Sequence, residues 1–165
     1  MTETLILQHD EIMQKIKRLA WEVYENNFSY NELVVIGIKE RGKVVADLLC
    51  GALKEVSQLK IHQAYIELNA DAPQDSIIEN LVVNMQGMRV VLVDDVLNSG
   101  KTLMAATVPI LLQKPHSLQT VVLADRDHKR FAIATDYVGI SLATTLQEHI
   151  SFSKNKEGKY SVSLR

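Results

Sequence analysis

Two short runs constrain this chain most: Leu33-Val34-Val35-Ile36-Gly37-Ile38 and Val90-Val91-Leu92-Val93. Neither alternates polar with apolar residues, so neither suits a sheet with one face in water. Each reads as a strand covered on both faces. Thr120–Ala124 is a third aliphatic run. Between and before these runs lie helical patterns. Apolar residues recur as Ile12, Ile16, Leu19, Ala20 and Val23 within Asp10–Asn26, and as Val45, Leu48, Leu49, Ala52 and Leu53 within Val44–Leu53. Such spacing places one apolar stripe along each helix. Asp10 is the expected N-cap of the first helix, without a capping box because Met13 stands where a Glu would be needed. Thr102–Leu112 reads as another helix that Pro109 kinks or ends. Ile61–Leu68 reads as a strand and Asn69–Glu79, which holds Pro73, as an acidic loop. From Phe131 onward come short β-like pieces, Ile150–Ser153 and Tyr160–Leu164, with a turn at Gly158. The alternation predicts an α/β fold, a mostly parallel twisted sheet flanked by helices. Ligands of such sheets sit beyond the carboxyl ends of the strands, so the residues that follow each run are the candidates for function.

Composition narrows the classes. A length of 165 residues suits one domain, residues 1–165, and 47% hydrophobic with 23% charged residues excludes a disordered chain. Cys50 is the one cysteine, so no disulfide framework exists within the chain, and a reducing, cytoplasmic setting is expected. No apolar run approaches a membrane span, and Met1–Asp10 lacks the basic start of a signal peptide. With 18 basic against 20 acidic side chains the net charge is −2, which disfavours broad nucleic-acid binding. His9, His62, His116 and His149 show no zinc-ligand spacing.

The most informative segment runs from Val90 to Thr102. A buried strand delivers Asp94 and Asp95, then a small-residue loop, Asn98-Ser99-Gly100-Lys101-Thr102, opens a helix. Backbone N–H groups and the helix dipole make such a loop an anion site suited to phosphate, with Ser99 and Thr102 adding hydroxyl donors. The two carboxylates beside it suit ribose hydroxyls or a divalent cation. Sugar plus phosphate is the natural ligand. A Walker A loop is excluded because Asp95 stands where its first glycine belongs. A phospho-acceptor receiver is disfavoured because its acidic pair follows the first strand, not one past mid-chain.

Four aliphatics, two acids, two more aliphatics and Asn98–Thr102 resemble the phosphoribosyl-pyrophosphate signature of type I phosphoribosyltransferases. The resemblance implies that Asp94 and Asp95 contact the ribose hydroxyls and that Val96 and Asn98–Thr102 surround the 5-phosphate. It also implies that Lys39, Glu40, Arg41 and Gly42 form the diphosphate loop, with Arg41 its main cation and Gly37 and Gly42 permitting a strained backbone. Mg2+ would bind through the diphosphate, with Asp94 and Asp95 as possible further ligands. Asp125-Arg126-Asp127-His128-Lys129-Arg130 and Asp136-Tyr137-Val138-Gly139 are similar to the base-binding hood of PyrR-type uracil phosphoribosyltransferases, regulators of pyrimidine operons. There Tyr137 would stack on the base, the Val138 backbone would read its edge and Arg126 would approach a carbonyl, while His128 shapes the hood. The hood would span about 125–165 and a flexible loop about 68–81. The implied partners are phosphoribosyl pyrophosphate and a nucleobase, with uracil favoured over purines. RNA is a lesser possibility, to which Lys17, Lys43, Lys54, Lys129 and Arg130 could offer charge. A homodimer or higher homo-oligomer is also implied, with which the aliphatic face of the first helix is compatible.

Four places depart from that pattern. Leu68–Leu81 holds no Lys, Arg or Tyr and is acidic through Asp71, Asp75 and Glu79, so it brings no cation to a leaving diphosphate. Asn98 stands where purine-type relatives carry an aspartate base, and an amide takes no proton at neutral pH. Asp127 replaces a usual glycine, and Ile140-Ser141 a usual Lys-Asn pair, both near the base.

Overall fold

The computed structural model describes residues 3–145 and 148–165. Along the chain, β1 (Thr4–Leu7) precedes α1 (His9–Glu25), β2 (Glu32–Ile38), α2 (Arg41–Val56) and β3 (Lys60–Glu67). A 3₁₀ turn at Pro73–Asp75 leads to β4 (Ile77–Glu79), followed by β5 (Arg89–Leu97) and α3 (Lys101–Leu111). The chain continues through β6 (Ser117–Arg126), β7 (Tyr137–Leu142), β8 (Ile150–Lys154) and β9 (Tyr160–Leu164).

Six strands form one sheet in the order β4-β3-β2-β5-β6-β7, parallel except for the edge strand β4. This is the expected α/β architecture, and alternation along the strands shows why the runs had to be apolar throughout. Leu33, Val35, Val91, Val93, Val121 and Leu123 pack with α1 and α2 on one face. Val34, Ile36, Val90, Leu92 and Val122 pack on the other with Leu103, Ala106 and Ile110 of α3 and with Met85. Each strand thus supplies both cores, as residues of period two must.

β1, β9 and β8 make a separate antiparallel sheet, in which Thr4 lies opposite Leu164 and Phe152 opposite Val162. Gly158, at φ +83°, turns the chain between β8 and β9. Leu7, Ile150, Phe152 and Val162 add this small sheet to the core beneath α1 and α2.

Several local expectations are corrected. Gln8, not Asp10, is the N-cap of α1, and the Glu11 carboxylate accepts its backbone N–H at 2.8 Å. The apolar stripe of α1 is buried in the protomer (Ile12, Ile16, Leu19, Ala20 and Val23), so it is not a face open to a second copy. The segment taken as loop holds β4, whose backbone pairs with Tyr65–Glu67. α2 begins at Arg41, and α3 runs past Pro109 to Leu111. No helix among the described residues is long and apolar enough to cross a membrane.

Candidate active site

Parallel pairing sets the carboxyl ends of β2 and β5 side by side, with Gly37 opposite Val93. β5 does not stop at Val93. It carries Asp94 and Asp95 within its last turns of pleat before reaching Leu97. After β2 the chain turns through Lys39 and Glu40 and enters α2 at Arg41. Gly42 is what lets this helix start against β5: a Cβ there would lie 2.8 Å from Asp94 Oδ1 and 2.9 Å from the Val93 carbonyl oxygen. Neither Gly37 nor Gly42 has positive φ. Close approach, rather than the expected strained backbone, is therefore what both glycines provide; a Cβ on Gly37 would meet that of Ala46 at 2.8 Å. Gly100 does sit at φ +87° and opens α3.

Three cavities adjoin these ends, and Asn98 lines all of them. The first, ≈ 430 Å³, is bounded by Lys39, Glu40 and Arg41, by Asp94, Asp95 and Val96, by Asn98 and Thr102, and by Ile38 and Ile150. The smallest, ≈ 80 Å³, lies within the loop itself, along Asp94, Val96–Gly100, Thr102 and Leu103. The third, ≈ 380 Å³, is lined by Asn98, Ser99, Arg126, His128, Arg130 and His149. The Arg130 and Phe131 backbone N–H groups both donate to the Ser99 carbonyl, at 3.0 and 3.1 Å, and fix that segment over the loop.

Asp94 is 7% exposed and its Oδ1 accepts the Asp95 backbone N–H at 2.9 Å. Burial first, and then the neighbouring Asp95 charge, push its carboxyl well above the ordinary carboxylate range. Burial also raises Asp95, against which the Arg41 charge acts. Among the described residues no Lys or Arg lies within ion-pair distance of either acid, and Arg41 has no ion-pair partner. A buried and a half-buried carboxylate with no ion-pair partner fit a divalent cation, which takes one or two carboxylates and completes its shell with phosphate oxygens and water. No group of three or more His, Cys, Asp or Glu side chains among the described residues would hold such an ion unaided.

Lys39 behaves differently from Arg41. Its Nζ lies 2.6 Å from Glu79 Oε2 and 3.3 Å from Glu67 Oε2. The hydrogen bond that the Lys39 ammonium donates to Glu79 is the main cause raising the Lys39 pKa, and the same bond holds Glu79 below the usual carboxylate range. The acidic segment thus places a carboxylate on the first cation of the turn.

Of the residues singled out from sequence, Lys39, Glu40, Arg41, Asp94, Asp95, Val96, Asn98, Ser99, Gly100, Thr102 and Arg126 line one or more of the cavities. Gly42 lies directly behind Asp94. Lys101 is exposed and lines none of the three. Tyr137 and Val138 must be corrected. Tyr137 is 6% exposed within the core beneath α1, because the parallel register sets it beside Val121, far below the carboxyl end of β6. The Val138 carbonyl accepts Arg18 Nη2 at 3.1 Å, so it faces α1. Arg130, His149 and Ile150 were missed as lining residues; Arg130 closes the Asp125–Arg130 stretch but carried no assigned contact, His149 and Ile150 come from a segment with no motif spacing, and only the tertiary fold joins them to Asn98.

The family model described as the phosphoribosyl transferase domain matches residues 3–156. The chain is 27% identical to the Bifunctional protein PyrR of Haemophilus influenzae, over 98% of this chain and 98% of that protein. It is 34% identical to the Bifunctional protein PyrR of Chloroflexus aurantiacus, over 90% of this chain and 86% of the relative. In fold it resembles a hypoxanthine-guanine phosphoribosyltransferase from Bacillus anthracis, with TM-score 0.72, 22% identity and coverage of 85% and 82%. The hypoxanthine phosphoribosyltransferase of Trypanosoma cruzi is similar to the same degree, with TM-score 0.74, 22% identity and coverage of 84% and 81%. The acid pair at the end of β5, the glycine-backed turn after β2 and the family model across nearly the whole length agree: the chain belongs to the phosphoribosyl transferase domain family.

Proposed function

We propose that this chain transfers the 5-phosphoribosyl group of phosphoribosyl pyrophosphate to a nucleobase, with a uracil ring the favoured acceptor, and releases diphosphate. The observation that carries the reading is that Asn98 lines all three cavities, an arrangement that supports adjacent sites for sugar, phosphate and base. In this assignment the small cavity takes the 5-phosphate on loop N–H groups and on Ser99 and Thr102. Asp94 and Asp95 accept from the ribose hydroxyls, and Arg41, free of any acid partner among the described residues, holds the diphosphate through its planar fork. The ring nitrogen forms its bond to C1 as the C1–oxygen bond to diphosphate breaks, the electron pair leaves with diphosphate, and the ring N–H proton passes to water. As the C1–oxygen bond breaks, positive charge grows at the sugar ring near the Asp94 and Asp95 carboxylates, whose fixed charge favours it. Mg2+, when bound, supplies charge neutralisation to the diphosphate. Asn98 Oδ1 is buried without a hydrogen-bond partner and is suited to accept an N–H of the base, but not to remove a proton.

Diphosphate release is the direct assay, run with phosphoribosyl pyrophosphate, Mg2+ and each of uracil, hypoxanthine, guanine and xanthine. Turnover with at least one base is expected. Protein that melts cooperatively yet releases diphosphate with none would remove the reading.

Regulation through RNA is the second reading, supported by relatives named Bifunctional protein PyrR. The available charge is thinner than the sequence implies: Lys43 pairs with Asp47 at 3.0 Å and Lys129 with Asp125 at 3.1 Å. A salt-sensitive gel shift with a pyrimidine-leader hairpin tests it. A cytoplasmic setting and a homodimer belong to the same proposal. Exposed Met104, Val108 and Leu111 along α3 support self-association, which light scattering on an eluting peak measures.

A further inference from the structure

Between β6 and β7 the chain passes over the loop that opens α3, and two of its backbone N–H groups converge on one acceptor. Arg130 and Phe131 both donate to the Ser99 carbonyl, at 3.0 and 3.1 Å. The Ile133 N–H donates to the Phe131 carbonyl at 2.8 Å, which curls the stretch, and the Ile133 side chain lies against Gly100. A Cβ on Gly100 would sit 2.8 Å from Ile133 Cγ2 and 3.4 Å from the Phe131 carbonyl oxygen. The chain is anchored again three residues on, where Asp136 Oδ2 accepts the Thr120 N–H at 2.8 Å and the Thr120 hydroxyl at 3.1 Å. Ile133 is half-buried against the core that holds Leu97 and Leu103. It lines none of the three cavities, so a ligand held in them does not touch it.

The loop does not fix its own backbone at this point. Gly100 sits at φ +87°, and a glycine takes either sign of φ at little cost, so the Ser99–Gly100 peptide has two accessible orientations. In a trans peptide the carbonyl and the N–H point to opposite sides. Two donors on the Ser99 carbonyl select the orientation in which the Gly100 N–H points away from Arg130 and Phe131. The ≈ 80 Å³ cavity runs along Ser99 and Gly100 and includes no residue of the 130–133 stretch. Gly100 is buried, and its N–H makes no hydrogen bond among the described residues. A buried donor without an acceptor is costly, and a phosphate oxygen supplies one. We propose that residues 130–133 form a positioning strap for the phosphate loop, with Ile133 as its side-chain anchor, and that the strap holds the Gly100 N–H toward the 5-phosphate without touching the ligand. This rests on the phosphoribosyl-transfer reading and adds to it a positioning residue that acts through the backbone of another segment.

Calorimetric titration of ribose 5-phosphate and of inorganic diphosphate into the wild type, Ile133→Ala and Ile133→Val tests the strap. Ile133→Ala is expected to weaken ribose 5-phosphate binding roughly tenfold, the effect of one lost hydrogen bond to a charged group, and to leave diphosphate affinity unchanged. Ile133→Val keeps the Cγ2 methyl on Gly100 and is expected to restore most of the loss. In steady-state assays the KM for phosphoribosyl pyrophosphate should rise in Ile133→Ala while kcat stays nearly the same, since the lost contact serves ground state and transition state alike. An equal loss for both ligands, an unchanged ribose 5-phosphate affinity, or a valine variant no better than alanine overturns the inference. A measurement on the wild type decides it if Ile133→Ala does not melt cooperatively: the Gly100 amide resonance should move downfield with ribose 5-phosphate and not with diphosphate. A Gly100 amide that stays in place overturns the strap. Selective loss in a protein that releases diphosphate with no base keeps the strap and removes phosphoribosyl transfer. Wild type that binds no ribose 5-phosphate overturns the strap even where diphosphate is released, and transfer then stands without it.

Discussion

Asn98 stands between two cavities of opposite chemistry. On one side Asp94 is buried and Asp95 half-buried, neither with an ion-pair partner among the described residues, while Arg41 at the edge lacks one too. On the other side Arg126 is buried without a carboxylate within ion-pair distance among the described residues, and Arg130 brings a second guanidinium to the same lining. Each half is electrostatically incomplete, and in opposite senses. Uncompensated charge out of water is destabilising, so both halves gain most from a ligand that brings the missing sign. The contrast teaches that burial, not charge count, makes a site of this near-neutral chain.

The comparison breaks most visibly at the acid pair. Replacing both Asp94 and Asp95 with Asn should lower kcat/KM on the order of a hundredfold or more, since charge aimed at a developing cation is lost. Steady-state kinetics on folded variant protein checks it. Arg41→Ala should weaken phosphoribosyl pyrophosphate binding by roughly thirtyfold, the equivalent of about 2 kcal/mol for a charge-assisted contact to an anion; calorimetric titration measures this directly. Gly42→Ala puts a methyl group against Asp94 Oδ1 and the Val93 carbonyl. A loss of about 1–3 kcal/mol is expected in denaturant unfolding, as for other overpacked sites.

Removing one buried charge should help the ligand-free fold. The folded pKa of Asp94 is raised. Its contribution to stability is therefore fully present below the ordinary aspartate pKa and is lost as pH rises through the raised value. Asp94→Asn should melt near the wild type around pH 4 and increasingly above it toward neutral pH. Thermal melts across that range check the sign, and saturating phosphoribosyl pyrophosphate with Mg2+ should narrow the gap. The smallest effect belongs to Glu79→Gln. It releases one of two carboxylates from Lys39 and should tighten phosphoribosyl pyrophosphate binding about two- to threefold, an exposed ion pair being a weak competitor. No change would mean that Lys39 does not meet the diphosphate.

The acid pair, the loop after it and the turn after β2 were legible in sequence because each lies at the end of a run that is apolar on both faces. Local composition alone located those ends. Tyr137 was misplaced for the complementary reason. Whether a residue at the start of β7 sits near the ligand depends on its register against β6, and the six residues Tyr137–Leu142 are needed to climb from the level of Val121 to that of Arg126. Arg130 and His149 were invisible as partners because they approach Asn98 from segments far apart in the chain. The hold of Glu79 on Lys39 depends on β4 folding back along β3, and three residues, Ile77–Glu79, are too short a pattern to announce a strand.

The small sheet has a consequence for how the molecule opens. It joins Thr4 to Leu164, nearly the full contour of the chain, by ladders only four and five residues long. It also supplies Ile150 to one cavity and abuts His149 of the other. Closing so long a loop costs chain entropy that few hydrogen bonds offset, whereas the central strands are supported from both faces. Hydrogen exchange should therefore report β1 and β9 as the first strands to breathe and β2 and β5 as the last. Substrate held against Ile150 and His149 should slow exchange in β1, a strand that lines neither cavity, so occupancy of the site becomes readable at the opposite end of the sequence.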